Sequence, residues 1–430
     1  MELKLKNVNR VKSADIKING LTVIVGLNNS GKSTIGRTLY SIVKAIANTE
    51  LAKAEDNESR LAKHVESLYS RLRGLTLTKG LLEDVTTVFP RNSSDFIHQL
   101  REATDTASFL QEKKDYIKSL NVVPRQKTLL TKDLDNAMIC LLEKDNPAAK
   151  LLTELQYLIE SEFLNTFCSV GSEKTEVELL SEGNSKITFT ATDNSVKEAE
   201  YNDSSFIEDA TYIESPLYIH LVDMIMKARA YRETESKHSS LMPPMVPSHI
   251  KDMAEKLMSA SRHPIDRKEV KTMDVSKIIG GEFVYDTESH QIIFKSGNNS
   301  YSTLNVASGI KSFGIVDLLE TANFIGPNRL LIWDEPENHL HPEWQVRFAE
   351  KLVKLAAEGV PVLITTHSPY FLQAIRFYSD RDQLNAYVNY YMPTVEDDNL
   401  SVVRDVSDDL TQAFELLTEP LGYVMDDHQV

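Results

Sequence analysis

The sequence predicts an α/β fold that carries a mainly helical insertion, and three observations point to it. A wholly apolar strand, Leu21–Val25, runs into a glycine-rich loop and a helix that we expect to span Lys32 to about Asn48. Two later apolar strands, Arg329–Asp334 and Pro361–Thr366, also end in polar residues. Such apolar runs are typical of strands buried inside a parallel sheet. Between these parts, residues 51–169 show the apolar spacing of helices.

We predict four segments along the chain. Residues 1–48 and 271–390 form the two parts of the α/β core, and residues 49–270 form a mainly helical insertion with some β-structure. Residues 391–430 form an acidic C-terminal segment. The proline-rich stretch 242–247 cannot be the interior of a helix and predicts a turn or linker within the insertion.

Composition and charge exclude two classes of protein. No apolar run reaches the roughly 18 residues of a membrane-spanning helix. The formal net charge of −16 argues against a protein that coats nucleic acid. This charge is uneven, because residues 1–48 hold eight Lys/Arg against two acids, whereas residues 394–430 hold ten acids against one Arg. Cys140 and Cys168 lie in apolar contexts and indicate buried thiols in a reducing compartment, so we expect a cytoplasmic protein.

A phosphate-binding loop follows the first buried strand. Residues 26–34 match the pattern G-x-x-x-x-G-K-[ST] in full, between the strand and the helix that the motif requires. Glycines let successive backbone N–H groups point inward at phosphate oxygens, and the helix N-terminus adds its dipole. Lys32 is expected to reach the β- and γ-phosphates of ATP, and Ser33 to offer a hydroxyl to Mg²⁺. The predicted nucleotide-binding residues are Gly26, Asn28, Asn29, Ser30, Gly31, Lys32, Ser33 and Thr34.

Three polar residues follow the two later strands, at the end of an open α/β sheet where ligands bind. We expect Asp334 to hold Mg²⁺, directly or through water, and Glu335 to polarise the attacking water. His367 follows the other strand, where it can touch the γ-phosphate and orient that water. A lone histidine at a strand end is usually structural, and the neighbouring motifs favour a catalytic role here. Glu335 and His367 are thus the predicted catalytic residues, and Ser33 and Asp334 the predicted metal ligands.

A second anion site is predicted ahead of the carboxylate strand. Ser308 and Gly309 open a helical run to Ala322, so that their N–H groups and a hydroxyl can face an anion. One chain needs only one such cradle for each ATP. The economical interpretation is that this cradle serves the ATP of a partner subunit, and simple capping of the helix by Ser308 is the alternative.

In this order the motifs resemble the head of an ABC-type ATPase: a Walker A loop, a signature, a Walker B strand, a D-loop region at Asn338–His341 and a switch histidine. Residues 334–342 and 364–369 are more narrowly similar to the OLD-type ATPases of bacteria, near the SMC and RecF branch, such as the ATPase of Septu systems. The resemblance covers roughly residues 1–48 and 275–380.

The resemblance implies a two-lobed head that binds ATP and Mg²⁺ and dimerises head to tail with a copy of itself. Two ATP molecules then lie between the Walker A loop of one subunit and the signature of the other. In this family many heads work in anti-phage defence beside a nuclease. Only residues 368–430 follow the switch histidine, too few for a Toprim nuclease domain, so we expect the nuclease to be a separate protein.

The sequence also departs from the family pattern. Ile310 replaces the second glycine of the signature, and its last position is Lys311, which can still approach a γ-phosphate. His341 takes the position of the D-loop aspartate. No Q-loop glutamine can be placed, although the strand-like stretch 210–214 marks a point where the core can resume.

Three functions are compatible with these motifs. The leading one is an ATP-gated dimeric switch that controls a nuclease effector in a defence system. The alternative is a DNA-binding repair or replication ATPase of the SMC/RecF kind, to which Lys113-Lys114 and Arg125-Gln126-Lys127 would contribute positive charge. The third, the ATPase subunit of a membrane transporter, is disfavoured by the large helical insertion.

The acidic end of the chain contains one more pattern. Leu410, Phe414, Leu417 and Leu421 have the spacing of one apolar helix face, which an inert solvated tail would not need. We therefore expect a helix here that packs on its own head or on a partner.

Overall fold

The computed structural model describes residues 1–54, 57–79, 85, 88–103, 105–142, 147–181, 186–202, 207–222, 224–225, 246–262, 273–289 and 291–425. The chain divides into two compact units. The first unit consists of Met1–Ala47 and Ala148–Val430, and the second of Asn48–Pro147.

The first unit contains two β-sheets. In chain order the strands are β1 (Glu2–Val8), β2 (Val11–Lys17), β3 (Leu21–Val25), β4 (Thr175–Leu180), β5 (Lys186–Thr192), β6 (Ser195–Tyr201), β7 (Asp209–Ile213), β8 (Glu282–Asp286), β9 (Gln291–Ser296), β10 (Asn299–Ser302), β11 (Arg329–Asp334), β12 (Val362–Thr366), β13 (Val388–Val395) and β14 (Ser401–Asp405). The large sheet has 11 strands in the order β6-β5-β4-β1-β2-β14-β13-β3-β12-β11-β7. The small sheet has the order β10-β9-β8.

One half of the large sheet is parallel, and this half determines where the predicted motifs lie. β13, β3, β12, β11 and β7 run in parallel. All side chains of β3 and β12 are buried, as expected for strands covered on both faces. The carboxyl ends of β3, β11 and β12 therefore meet at one edge, where the glycine-rich loop, the two carboxylates and the histidine follow. The predicted α/β fold class is confirmed.

Helices cover the sheet and form the second unit. They are α1 (Lys32–Ala54), α2 (Asn57–Lys79), α3 (Ser93–Glu102), α4 (Thr106–Ser119), α5 (Pro124–Leu142), α6 (Pro147–Phe163), α7 (Ser248–Arg262), α8 (Val275–Ile279), α9 (Ser308–Thr321), α10 (Pro342–Ala357), α11 (Pro369–Arg381) and α12 (Thr411–Met425), with 3₁₀ turns at Pro216–His220, Thr303–Asn305 and Asn385–Tyr387. Among the described residues no helix is both long and apolar enough to cross a membrane.

Two hydrophobic clusters occupy the two faces of the large sheet. Successive residues of β11 divide between them, because side chains alternate along a strand. Trp333 belongs to the cluster that also contains Phe348 of α10, and Ile332 to the cluster that contains Tyr40 of α1. The helix that begins at the glycine-rich loop is therefore anchored to one face of the strand that ends in the carboxylates.

The second unit has a hydrophobic core of its own. Leu61, Val65, Leu68 and Leu72 of α2 are all buried, which confirms the helical spacing found in the sequence. They belong to a cluster with Phe89 and with residues of α3, α4 and α5.

The predicted insertion over residues 49–270 differs from the structure. The second unit ends at Pro147, and the chain from Ala148 onward belongs to the first unit. The physical reason is strand pairing: β4 pairs with β1, and β7 pairs with β11, so this stretch completes the sheet. Local spacing identifies a strand but not its distant partner. Of the turn predicted over 242–247, residues 242–245 lie outside the described residues.

The acidic C-terminal segment predicted over 391–430 contributes to the core, because it contains most of β13 and all of β14, which lie inside the large sheet between β2 and β3. The predicted helix is present as α12. Ala413 is fully buried, and Phe414 and Leu417 pack partly buried against the hydrophobic core of the first unit. The helix thus packs on its own head, while Gln412, Glu415 and Glu419 are exposed.

Candidate nucleotide-binding and hydrolysis site

The glycine-rich loop joins the end of β3 to the start of α1. Gly31 has a φ of +88°, and a Cβ atom there would lie 2.9 Å from Val11 Cγ2, so this position requires glycine. Asn29 has a φ of +66°, which asparagine adopts more readily than most residues. The Gly26 N–H donates to Thr366 O at 3.2 Å and ties the loop to the end of β12.

Side chains of the loop differ in exposure. Asn28 and Asn29 are exposed, whereas Ser30 is buried and donates from its Oγ to Leu27 O at 2.8 Å. Thr34 is also buried, and its Oγ1 donates to Asn9 Oδ1 at 3.3 Å. Ser30 and Thr34 therefore stabilise the loop and the first turn of α1 from within, which leaves the backbone and Ser33 for a ligand.

Lys32 is the first residue of α1, and its side chain is only 5% exposed. Its Nζ donates hydrogen bonds of 2.8 Å to both Gly26 O and Leu27 O, and it lies 3.7 Å from Glu335 Oε1. Burial lowers the pKa of Lys32, although the nearby carboxylates oppose this effect. The ammonium group is thus held inside the curve of the loop, where it can neutralise phosphate oxygens.

Asp334 ends β11 and is 8% exposed. Two neutral hydroxyls bind its carboxylate: Thr365 Oγ1 donates to Oδ1, and Tyr212 OH donates to Oδ2 at 3.3 Å. In the described part of the chain Asp334 forms no ion pair, and the half-buried hydroxyl of Ser33 has no hydrogen-bond partner. A buried carboxylate that only neutral hydroxyls bind directly, together with the free Ser33 hydroxyl, fits the hard oxygen ligands that Mg²⁺ prefers.

Those residues alone would not make a complete metal site. Within the described ranges there is no group of three or more His, Cys, Asp or Glu side chains that could hold a metal ion. Mg²⁺ is usually held by one or two protein oxygens together with substrate phosphates and water. The residues present therefore fit a metal that enters with the nucleotide.

Glu335 occupies a strained position next to Asp334, with a φ of +48°. Its N–H donates to Thr365 O at 3.1 Å, and its Oε2 accepts from Asn338 Nδ2 at 2.9 Å. Its Oε1 lies 3.1 Å from His367 Nδ1. Although burial favours the neutral acid, the Asn338 hydrogen bond and the charges of His367 and Lys32 lower the pKa of Glu335. The group is therefore ionised at neutral pH, as a base must be.

The structure does not bring the second predicted anion site to these residues. The N-cap of α9 is Ala307, without a side-chain capping bond, so the alternative that Ser308 caps the helix is wrong. Gly309 packs against Trp344, where a Cβ would lie 2.9 Å from the indole ring. Lys311 is 3% exposed, and burial lowers its pKa. No hydrogen bond or ion pair among the described residues joins these three to the glycine-rich loop.

Residues 1–372 match the family described as AAA ATPase domain, AAA_15. The chain belongs to this family. Membership means that the protein binds nucleotide and hydrolyses ATP, so the loop and the carboxylates belong to an ATPase. The search of curated proteins returned no match.

Solved structures also resemble this AAA ATPase. The SMC head domain from Thermotoga maritima is 13% identical, with 94% of this chain and 98% of that chain covered and a TM-score of 0.37. The Smc head domain bound to the C-terminal domain of ScpA from Pyrococcus furiosus is 12% identical, with 98% of both chains covered and a TM-score of 0.40.

Sequence reasoning did not single out Glu337 as a site residue. Its side chain is 3% exposed, and its Oε1 accepts from Thr366 Oγ1 at 2.6 Å and from the His367 N–H at 3.2 Å. Burial raises the pKa of Glu337. The residue fixes the end of β12 and hence the backbone of the histidine. Its position two residues after Glu335 was the only signal available.

Glu337 allows a prediction that separates hydrogen bonding from charge. Glu337→Gln keeps an Oε1 acceptor for Thr366 and His367 and removes an ionisable group whose charged form is disfavoured by burial, so we expect stability within about 1 kcal/mol of the parent. Glu337→Ala leaves two donors unsatisfied and should cost about 2–3 kcal/mol, with a loss of ATP hydrolysis. Chemical denaturation and ATPase rates measure both effects. Equal destabilisation by the two variants would contradict this assignment.

Proposed function

We propose that this AAA ATPase is a MgATP-dependent dimeric switch that controls a separate nuclease effector in a bacterial anti-phage defence system. One observation carries the dimeric part of the proposal. The predicted site residues of one chain fall into two groups. Glu335 Oε1 lies 3.7 Å from Lys32 Nζ and 3.1 Å from His367 Nδ1, whereas no hydrogen bond or ion pair among the described residues joins Ser308, Gly309 or Lys311 to this group.

In the proposed reaction each residue of the first group has a separate task. Lys32 binds the β- and γ-phosphates, and Ser33 and Asp334 hold Mg²⁺, which would neutralise phosphate charge. Glu335 accepts a proton from the attacking water, and His367 helps to position that water beside the γ-phosphate. His367 Nδ1 lies 3.1 Å from Glu335 Oε1, so the two groups are in direct contact and both would face a water beside the γ-phosphate.

In the proposed dimer the second group completes the site of the partner subunit. The N–H groups at the start of α9 and the half-buried hydroxyl of Ser308 would face the γ-phosphate of an ATP held by the other chain. Lys311 adds positive charge behind them. Its side chain is nearly fully buried, so a direct contact with that phosphate would require a change of rotamer.

The defence role rests on the resemblance of residues 334–342 and 364–369 to the OLD-type ATPases. The effector would be a separate protein. The exposed acidic residues of α12, Glu415 and Glu419, offer it a surface whose attraction for a basic partner weakens with salt.

The alternative of a DNA-binding ATPase has less support from the contacts of one of its two basic clusters, Lys113-Lys114. Lys113 is 7% exposed and lies 3.2 Å from Glu112 Oε1, and Lys114 is ion-paired with Asp135. Positive charge that is already paired with carboxylates contributes little to phosphate binding.

Mixing two inactive variants tests the shared site. Ser308→Arg should bind nucleotide but not hydrolyse it, and Lys32→Ala should bind it about 10²-fold more weakly or worse. In a mixed dimer one site carries both defects and the other carries neither. With random pairing of equal amounts, half of the dimers are mixed and each has one intact site, so we expect about a quarter of the parent rate.

The matched control is Thr418→Arg, which adds the same side chain at an exposed position of α12 and should leave the ATPase rate unchanged. Melting temperatures and gel filtration establish that both inactive variants are folded and associate. Under those conditions, a mixture as inactive as its components would rule out sites shared between subunits.

A further inference from the structure

A buried histidine lies between two carboxylates, away from the residues assigned so far. His249, near the start of α7, is fully buried. Its Nδ1 lies 2.6 Å from Oε2 of Glu162 on α6, and its Nε2 lies 3.1 Å from Oε2 of Glu214, the residue that follows β7. The His249 N–H also donates to Glu162 Oε1 at 3.0 Å.

The surroundings of this histidine favour its charged form. Burial by itself would lower the pKa of His249, but the hydrogen bonds to Glu162 and Glu214 outweigh this effect and raise the pKa. The side chain of Glu162 is fully buried, and an ionised carboxylate at such a place requires a positive partner. The two hydrogen bonds to Glu162 of α6 therefore fix the orientation of His249, and the second nitrogen of its ring faces Glu214.

Glu214 stands at the sheet edge that carries the hydrolysis site. β7 pairs in parallel with β11, with Ile213 opposite Trp333, so Glu214 is level with Asp334. His249, Arg37 Nη2 at 3.1 Å and Tyr218 OH at 3.2 Å all bind its carboxylate. The His249 hydrogen bond, aided by the charge of Arg37, lowers the pKa of Glu214 to about 2 although burial opposes ionisation.

A second contact leads from the histidine to Asp334 itself. The ring of Tyr212, on β7, lies with its centroid 4.7 Å from that of His249, and its hydroxyl donates to Asp334 Oδ2 at 3.3 Å. Tyr212 is 1% exposed, so its ring is packed among neighbouring side chains. The imidazole of His249 thus contacts both Glu214, which follows β7, and Tyr212, which binds the carboxylate of Asp334 at the end of β11.

We propose that His249 is a positioning residue for the nucleotide-bound Mg²⁺: it holds Glu214 and Tyr212 so that a carboxylate and a hydroxyl stand fixed beside Asp334. The proposal rests on ATP hydrolysis at the Lys32–Asp334 site and not on the dimer or the effector. Partners in the outer shell of a metal site typically alter metal affinity by about 10–100-fold when they are replaced.

The test uses the full-length protein and a readout that does not need catalysis. ATP with Mg²⁺ is expected to raise the melting temperature, and the Mg²⁺ concentration at half of this shift reports metal affinity. In His249→Gln we expect that concentration to rise about 10-fold. The ATPase kcat should fall at least as much, with KM for ATP within a few-fold of the parent because Lys32 is intact.

Two variants separate positioning from stability. Lys256 lies on the same helix and is 5% exposed. It is ion-paired with Asp209 at the opposite end of β7 and with Asp252 of α7, so Lys256→Met should lower the melting temperature but keep the parent Mg²⁺ midpoint. Glu162→Gln combined with His249→Gln removes the uncompensated buried charge, and should restore stability without restoring the midpoint.

Three results would overturn the proposal. A parent-like Mg²⁺ midpoint in His249→Gln would remove its positioning role and leave the ATPase site intact. Recovery of the midpoint together with stability in the double variant would reduce His249 to a structural role. If the melting temperature of the parent protein changed with neither ATP nor Mg²⁺, both the nucleotide site at Lys32 and Asp334 and this proposal would be overturned.

Discussion

Glu335→Gln is expected to lower the rate of ATP hydrolysis by about 10²–10⁴-fold, the usual contribution of a positioned general base. The amide has the shape of the carboxylate but cannot accept a proton from water. Binding should persist, because Lys32 and the loop are unchanged, and ATP should therefore remain trapped on the protein. Steady-state rates and a binding assay with labelled ATP measure the two effects separately.

The isosteric control is Glu343→Gln on α10, whose carboxylate is exposed and pairs with Arg347. It should hydrolyse ATP at the parent rate. Hydrolysis by Glu335→Gln at that same rate would show that another group is the base. His367, 3.1 Å from the same carboxylate oxygen, would then be the first candidate.

Lys32→Ala is expected to weaken ATP binding by about 10²-fold or more, since each hydrogen bond to a charged group is worth about 1.5–3 kcal/mol and this ammonium can serve two phosphates. Lys32 Nζ also donates to Gly26 O and Leu27 O, so its removal leaves two carbonyls without this donor and should cost some stability. Isothermal titration with ATP gives the affinity, and a melting curve of the free protein checks the fold.

Lys12→Ala provides the comparison, because Lys12 is a partly exposed lysine near the loop in sequence and is bound to Glu396 and Asp398. Its loss should leave the affinity for ATP unchanged. If Lys32→Ala bound ATP as tightly as Lys12→Ala, the glycine-rich loop would not be the phosphate site.

The sequence predicted the parts of the site that are contiguous in the chain. The loop at residues 26–34 and the pair Asp334 and Glu335 each combine a buried strand with the residues that follow it, and both elements are visible in one short stretch. The spacing of α2 was equally visible, because a helix repeats its apolar face locally.

Other parts were hidden because they depend on pairing between distant segments. Glu214 comes level with Asp334 only because β7 pairs with β11, and His249 reaches Glu214 only because α7 packs against both α6 and β7. The many carboxylates of the C-terminal stretch indicated a solvated segment, whereas β13 and β14 are each flanked by other strands of the large sheet. The net charge of a segment does not show which of its residues form strands, or where those strands join the sheet.

The position of β13 and β14 has a consequence for how the protein is made. These strands fill the gap between β2 and β3, so the strand that leads into the glycine-rich loop gains one of its two neighbours only after residues 388–405 have left the ribosome. A shorter nascent chain holds every motif of the ATPase but has an open edge at β3, exposed to pairing with other chains. Competence to bind ATP should thus arise late in synthesis, and the unfinished chain is the stage at which a chaperone is most needed.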